Sequence, residues 1–175
     1  MAPVPPPEES FPFPYRDDFE SYDVGQNPRY INQRNGIFEV VKRVDRQRNA
    51  LHLASLAKGI EWVKMKDPQF FLGCLNWKDY SVSADFLLNT QGNVAVYGRI
   101  GSIQENDNPA AGYCLKVSDT GDWELQAAGK IIASGKIAFK KNVWHNLNLE
   151  FAGNSIKVLV DKMTIAQVKD ETFSA

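Results

Sequence analysis

The chain contains few residues of the kinds that commonly carry catalysis or bind transition metals. Its 175 residues include two cysteines and two histidines; two cysteines make no disulfide framework, and they do not have the spacing of a zinc site. Cys74 and Cys114 lie among apolar neighbours, which predicts buried thiols but leaves a single disulfide between them open. The formal net charge of −1 creates no overall positive field, so we expect no nucleic-acid partner.

Long apolar runs and helical periodicity are also missing. No segment approaches the roughly 20 apolar residues that a membrane-spanning helix needs, so we expect no membrane span. The chain start, MAPVPPPEE, has neither a basic region nor a hydrophobic run, and it is not a signal peptide. No stretch shows apolar residues at helical spacing over three turns.

Recognisable catalytic motifs are absent as well. The sequence has no Gly-x-Ser-x-Gly motif, no phosphate-binding loop and no His-Glu-x-x-His motif. His52 and His145 have no partner at a spacing typical of a catalytic pair, so we expect structural or surface roles for both. The glutamates on predicted strands alternate with apolar residues, which places them on solvent-facing sides. We therefore predict no active site within this chain.

What the sequence does contain is alternation of apolar and polar residues. A strand directs alternate side chains to opposite faces, so such segments have one apolar and one polar side. Several of these segments separated by turn residues predict antiparallel sheets in a sandwich or barrel. The predicted strands are Ile37–Val41, Ala50–Leu53, Glu61–Val63, Tyr80–Leu88, Val94–Ile100, Gly112–Val117, Trp123–Ala127, Trp144–Phe151, Ser155–Val160 and Thr164–Val168.

The turn Gln91–Asn93 predicts a hairpin between the strands Tyr80–Leu88 and Val94–Ile100.

Near the start of the chain, the segment Pro3–Pro14 holds six of the nine prolines. Because proline lacks an N–H and fixes φ, residues 1–14 are predicted to form an extended interdomain linker. Such a linker implies an upstream neighbour. Residues 15–175 are predicted to form one β domain.

Two adjacent carboxylates follow the linker. Asp17 and Asp18 face opposite ways in an extended chain, so one of them points inward. An inward carboxylate needs a cation or several backbone donors. Two interpretations stay open: both residues cap a turn, or one of them binds calcium. Nearby, Phe19 and Tyr22 are predicted to anchor a first short strand.

The four tryptophans are candidates for stacking on sugar rings and equally for filling a core. Trp123 shares a strand face with Leu125 and Ala127, which predicts a core position. Trp77 lies in a loop-like segment and is the best candidate for a carbohydrate contact. The alternative for Trp77 is that it caps the edge of a sandwich.

Several motifs in this order together resemble one family. They are DDFE from Asp17, NWKDYSV from Asn76, GYCLKV from Gly112, GDWEL from Gly121, WHNLNLEF from Trp144 and VKDETFS from Val168. In order and spacing they resemble the C-terminal lectin-like domain of the galactosylceramidase (galactocerebrosidase) family. The resemblance implies an antiparallel jelly-roll β-sandwich, related to the concanavalin and laminin-G folds, over residues 15–175.

The resemblance also implies features of a site and of partners. The family carries its catalytic glutamates on an upstream barrel, which nothing here matches. Its lectin-like domain holds one structural Ca²⁺, and the matching ligand positions are Asp18 and Asn49. The family has a final strand with the motif Phe-Asp-Asn-Phe, which this sequence lacks, so the resemblance implies a missing last strand and one missing calcium ligand.

Two functions follow from these observations. The first is a non-catalytic accessory domain of a galactosylceramidase-type glycolipid hydrolase, which removes galactose from galactosylceramide. Its partners are the upstream barrel of the same parent chain and a galactose-containing glycolipid, and its location is lysosomal or secreted. The second is a free-standing carbohydrate-binding or adhesion module, which needs exposed aromatic rings beside hydrogen-bonding groups.

Overall fold

A computed structural model of the chain describes residues 11–45, 47–56, 67–74, 76–102 and 111–173. These residues form twelve strands joined by turns, and none of them is helical. The all-β prediction is therefore confirmed. Within the described ranges, no helix is long and apolar enough to span a membrane. The strands are β1 (Asn32–Asn35), β2 (Ile37–Arg43), β3 (Arg48–Ser55), β4 (Gln69–Phe71), β5 (Ser81–Phe86), β6 (Asn93–Ser102), β7 (Ala111–Ser118), β8 (Asp122–Ala127), β9 (Lys130–Lys136), β10 (His145–Ala152), β11 (Ser155–Val160) and β12 (Met163–Lys169).

The chain divides into two compact units, Met1–Cys74 and Leu75–Ala175. In the first unit, β1 pairs with β4 and β2 pairs with β3, both antiparallel. Neither β1 nor β4 is among the predicted strands, because the polar sequence NQRN and the three-residue QFF show no alternation. The predicted strand Glu61–Val63 and Trp62 lie outside the described residues.

The second unit is a sandwich of two four-stranded antiparallel sheets. One sheet has the order β12-β11-β10-β5 and the other the order β6-β7-β8-β9. The buried residues recur every second position, so one face of each strand contributes to a shared core. The core side chains of the four central strands are Tyr113, Leu115, Val117, Trp123, Leu125, Ala127, Leu147, Leu149, Phe151, Ile156, Val158 and Val160.

The predicted hairpin between β5 and β6 is wrong. β5 pairs with β10 in one sheet, whereas β6 pairs with β7 in the other, so residues 87–92 cross between sheets. Gly92 instead exchanges hydrogen bonds with Asp119, in the turn between β7 and β8. Alternation identifies a strand and its apolar face but not its partner. The crossing is favoured because it lets the apolar faces of β5 and β6 both contribute to the core between the sheets. β10 then returns beside β5, which is the connection expected of a jelly roll.

Three smaller predictions concern the first short strand, the two cysteines and the proline-rich linker. Phe19 and Tyr22 lie in a turn rather than in a strand, because Asp17 and Asp18 accept backbone hydrogen bonds that close it. The prediction of buried thiols is confirmed for Cys114 but wrong for Cys74, which is exposed, and no disulfide joins the two. Residues 1–10 lie outside the described part, so the linker at 1–14 and the single domain at 15–175 stay predictions.

Gly98 provides a test of how closely the two sheets pack. A Cβ atom at this position would overlap the ring of Phe151, on the opposite sheet. We expect Gly98→Ala to lower the free energy of unfolding by about 2 kcal/mol. At Gly101, in the same strand, the nearest atom to an added Cβ would be the Ala111 carbonyl oxygen at 3.9 Å. Urea unfolding of Gly98→Ala beside Gly101→Ala checks this, and equal stabilities would contradict the packing described.

Candidate functional site

The loop that leads into β5 presents Trp77, Lys78 and Asp79 at the surface of the second unit. Trp77 is half-buried, and its ring meets that of Tyr80 edge-on, with centroids 5.7 Å apart and planes at 67°. Lys78 is exposed, and the Asp79 side chain is 62% exposed. The loop therefore holds an aromatic ring on a fixed support and keeps a carboxylate in water two residues away.

A buried arginine lies beneath this loop. Arg99 on β6 is 7% exposed and has a φ of +48°. Its Nε donates to the Lys78 carbonyl oxygen at 3.0 Å, and its Nη2 donates to Asp79 Oδ1 at 3.1 Å. The guanidinium carbon lies 4.9 Å from the centre of the Phe151 ring, a cation–π contact. A buried guanidinium thus obtains a countercharge, a carbonyl and an aromatic face.

Asp79 is fixed through one of its two oxygens. Oδ1 accepts from Arg99 Nη2 and from the Gly153 N–H at 2.8 Å. Within the described part of the chain, Oδ2 receives no donor. Oδ2 thus remains an acceptor on the same loop that carries Trp77. Tyr80, beside them, accepts the Arg99 backbone N–H, and burial raises the pKa of its hydroxyl.

The turn Asp170–Phe173 joins the same cluster. Tyr113 Oη donates to Asp170 Oδ1 at 2.8 Å and accepts the Phe173 N–H at 3.3 Å. The Phe173 carbonyl oxygen accepts from Arg99 Nη1 at 3.2 Å. Burial acts to raise the pKa of Asp170, but hydrogen bonds from Thr172 and Tyr113 outweigh it, so that the pKa lies below its ordinary value.

The two residues predicted to bind calcium lie in the first unit, around the turn at residues 19–22. Asp18 is exposed, and its Oδ1 accepts the Glu20 N–H at 3.2 Å. Asn49 Nδ2 donates to the carbonyl oxygens of Phe19 at 3.0 Å and Tyr22 at 3.1 Å. The Asn49 N–H donates to Glu20 Oε1 at 2.8 Å. Asp18 and Asn49 therefore border one turn, but each is engaged separately.

The oxygen atoms at this turn fit calcium in kind. Backbone carbonyls and carboxylates are ligands of Ca²⁺, and those of Phe19, Tyr22 and Glu20 all lie against Asn49. Asn49, however, presents its Nδ2, a donor and not a ligand, to the two carbonyls. Half a turn of the amide exchanges Nδ2 with Oδ1 and adds an oxygen to the set. Among the described residues, no three His, Cys, Asp or Glu side chains form a metal cluster.

The inward carboxylate of the adjacent pair is Asp17. Its Oδ2 accepts from the hydroxyls of Tyr15 at 2.8 Å and Tyr22 at 3.0 Å, and its Oδ1 accepts the Phe19 N–H at 2.8 Å. Burial raises the pKa of Tyr15, and the Asp17 carboxylate raises it further. The Tyr15 ring also packs edge-on against Phe11, with centroids 5.1 Å apart. Asp17 is therefore satisfied by three donors without a cation.

Sequence reasoning missed Arg99, and for His145 it predicted a structural or surface role without naming a partner. Arg99 gave no signal, because its strand reads as apolar and its partners are far away in the sequence. His145 is buried, with Nδ1 2.7 Å from Asp161 Oδ2, and its ring stacks on Phe139. The Asp161 partner could have been found, because pairing β10 with β11 as a hairpin brings the start of one strand to the end of the other.

One comparison with known proteins identifies the family of the chain. A family model for the C-terminal lectin domain of galactocerebrosidase matches residues 33–174. The chain belongs to this family. The resemblance stated from the motifs is therefore confirmed for the domain. The match does not test the roles of Asp18, Asn49 and Trp77, which stay predictions.

Among solved structures, the carbohydrate-binding module CBM66 from Bacillus subtilis is similar to part of this lectin domain. The TM-score is 0.45 and the sequence identity 22%. The match covers 56% of this chain and 63% of that module, so the chain spans less than two thirds of it. No curated protein matches the chain.

The contrast between the two adjacent aspartates is testable by substitution. We expect Asp17→Ala to lower the free energy of unfolding by about 2–3 kcal/mol, because two tyrosine hydroxyls and a backbone N–H lose their acceptor. Asp18→Ala, which loses one exposed hydrogen bond, serves as the control and should cost under about 1 kcal/mol. Thermal unfolding in the presence of a chelator measures both. A larger loss for Asp18→Ala would refute this assignment of the inward carboxylate.

Proposed function

We propose that this lectin domain binds the sugar of a galactose-containing glycolipid, as the non-catalytic accessory domain of a galactosylceramidase-type glycoside hydrolase. Cleavage of galactose from galactosylceramide would then take place on a catalytic barrel in the same parent protein, in the lysosome or after secretion. Membership of the galactocerebrosidase lectin family supports the parent role. The observation that carries the binding role is the Trp77 ring, packed on Tyr80, in the same surface loop as the exposed Asp79 carboxylate.

The chemistry of the site fits a neutral sugar. One face of a galactose ring is rich in C–H groups, and an indole ring offers a flat apolar surface for it. Asp79 Oδ2 then accepts a hydroxyl at the ring edge, which fixes the orientation of the sugar. With about 12 non-hydrogen atoms at roughly −0.3 kcal/mol each, a monosaccharide should bind with a Kd on the order of millimolar.

Trp77 is the residue to change first. We expect a titration with methyl galactoside to shift the Trp77 indole N–H resonance in the ¹H–¹⁵N spectrum, with a Kd on the order of millimolar. Trp77→Ala should weaken binding at least about tenfold, because the stacking surface is lost; binding is compared at a temperature at which both proteins are folded. Phe70→Ala, at another exposed aromatic residue, is the matched control and should bind normally.

Methyl glucoside, which differs at one hydroxyl, serves as the sugar control. No shift of any resonance with galactoside at about 50 mM would refute sugar binding, since this exceeds the expected Kd more than tenfold. Binding by the lectin domain alone, together with no association or activity change when it is supplied to a galactosylceramidase-type barrel, would favour the free-standing module instead.

We also propose one structural Ca²⁺ at the turn bordered by Asp18 and Asn49. The carbonyl oxygens of Phe19 and Tyr22 and the Glu20 carboxylate support this site. At 100 times its Kd, calcium should add about 2.7 kcal/mol to the free energy of unfolding and raise the Tm by several degrees. Differential scanning calorimetry with calcium, with magnesium and with a chelator checks this.

Asn49→Asp is the informative variant for calcium. It removes the Nδ2 donor and supplies a second carboxylate oxygen, so it should lower the Tm in chelator and increase the gain on adding calcium. Asp45, an exposed carboxylate paired with Arg43, gives the control variant Asp45→Asn. Identical Tm values in calcium and in chelator for the native chain would remove the metal from this domain.

A further inference from the structure

We propose that Arg99 is the positioning residue for the sugar-contact loop Trp77–Asp79, and that it couples this loop to the turn Asp170–Phe173. Only the statement that this loop contacts a sugar rests on the proposed function. The positioning itself is a property of the free protein and can be measured without a ligand. Arg99 touches no sugar in this proposal and acts only through the loop above it.

The geometry of one guanidinium carries the inference. Its three nitrogens bond to three different groups: Nε to the Lys78 carbonyl oxygen, Nη2 to Asp79 Oδ1 and Nη1 to the Phe173 carbonyl oxygen, at 3.0, 3.1 and 3.2 Å. A guanidinium is planar and its donor directions are fixed. A shift of either segment therefore changes the hydrogen-bond angles of the other.

Burial explains why these bonds hold. The Arg99 side chain is 4% exposed, and an unpaired charge at such a position is costly. If the loop moved away, the guanidinium would lose both a countercharge and a carbonyl acceptor. Phe151 covers one face of the guanidinium, and the Arg99 N–H is taken by Tyr80 Oη. The free energy of the buried cation thus favours one position of the loop.

The same contacts orient the groups that would meet a ligand. Lys78 is held through its backbone, so its two neighbours are held on either side of it. Asp79 is held through Oδ1, and its side chain is exposed, which leaves Oδ2 as the acceptor for a ligand. Trp77 rests on Tyr80, which itself bonds to the Arg99 backbone. A contact surface that is fixed before binding loses less conformational entropy on binding.

The turn Asp170–Phe173 forms the other side of this coupling. Its position depends on Tyr113 Oη, which bonds to Asp170 Oδ1 and to the Phe173 N–H, and on the edge-on contact between the rings of Tyr113 and Phe173, 5.4 Å apart. Removing that hydroxyl loosens the turn without touching Arg99 or the loop. Tyr113→Phe is therefore a distant perturbation whose effect on the loop tests the coupling.

The experiment compares Arg99→Lys with two control variants in the full chain. Lysine keeps the charge but replaces three fixed donor directions with one ammonium group. We expect Arg99→Lys to shift the Trp77 indole resonance of the free protein, to speed amide exchange at residues 78–80, and to weaken methyl galactoside binding at least about tenfold. Arg43→Lys, at an arginine paired with an exposed aspartate, should change none of these.

Loss of stability alone is controlled by His145→Asn. This variant breaks the buried pair with Asp161, so it should lower the Tm while leaving the Trp77 resonance and the sugar affinity unchanged. Tyr113→Phe should move the Trp77 resonance in the same direction as Arg99→Lys, by a smaller amount. That pattern would support positioning by Arg99 and the coupling.

The proposal is overturned if Arg99→Lys leaves both the Trp77 resonance and the exchange at residues 78–80 unchanged. It is also overturned if His145→Asn, at a similar Tm, changes them as much as Arg99→Lys does. An unmoved Trp77 resonance in Tyr113→Phe would overturn the coupling to the turn. If the native chain binds no galactoside, the proposed function fails, while the resonance and exchange measurements still decide on Arg99.

Discussion

The apolar layer between the two sheets is the main constraint on the structure of the second unit. β8 from one sheet and β10 and β11 from the other bury alternate residues almost completely, and β7 buries Gly112–Leu115 in succession. Each fully buried Leu, Val, Ile or Phe stabilises the fold by roughly 1.5–3 kcal/mol, so this layer outweighs any single polar contact. Polar groups near the core are therefore tolerated only where partners surround them.

Two polar groups next to this layer meet that condition in different ways. His145 has a carboxylate at one ring nitrogen and the Lys140 backbone at the other. Arg99 obtains its acceptors from a loop and from the turn Asp170–Phe173. In the first case the partners come from the turn between β11 and β12 and from the segment that precedes β10. In the second case they come from segments outside the strands. The hydrogen bonds of Arg99 hold these segments, which have no strand pairing to fix them.

The sequence predicted what depends on local pattern and missed what depends on partners far away in the chain. Alternation located β2, β3 and most strands of the second unit, because the apolar face of a strand is visible in its own residues. The pairing of β5 with β10 was not visible, since alternation is the same for any partner. Arg99 was missed for the same reason: its strand was recognised, but its acceptors lie some 20 and 74 residues away.

The candidate site was predictable in part. Trp77 stood out because a tryptophan in a polar, loop-like segment has no strand face on which to be buried. Asp79 did not, because an exposed aspartate after a lysine resembles any solvated turn. The choice between Asp17 and Asp18 needed coordinates, since the residue that turns inward is decided by the tyrosine hydroxyls available to it.

A structural role explains only part of the arrangement of the Trp77–Asp79 loop. The buried guanidinium of Arg99 requires a countercharge, and Asp79 Oδ1 supplies it; any carboxylate held there would do so. Nothing in that requirement needs the carboxylate to be largely exposed, or a large aromatic ring to lie half-buried two residues away. An indole left partly in water loses part of the free energy that burial would give it. The ring and the exposed carboxylate are the features that a bound sugar would use.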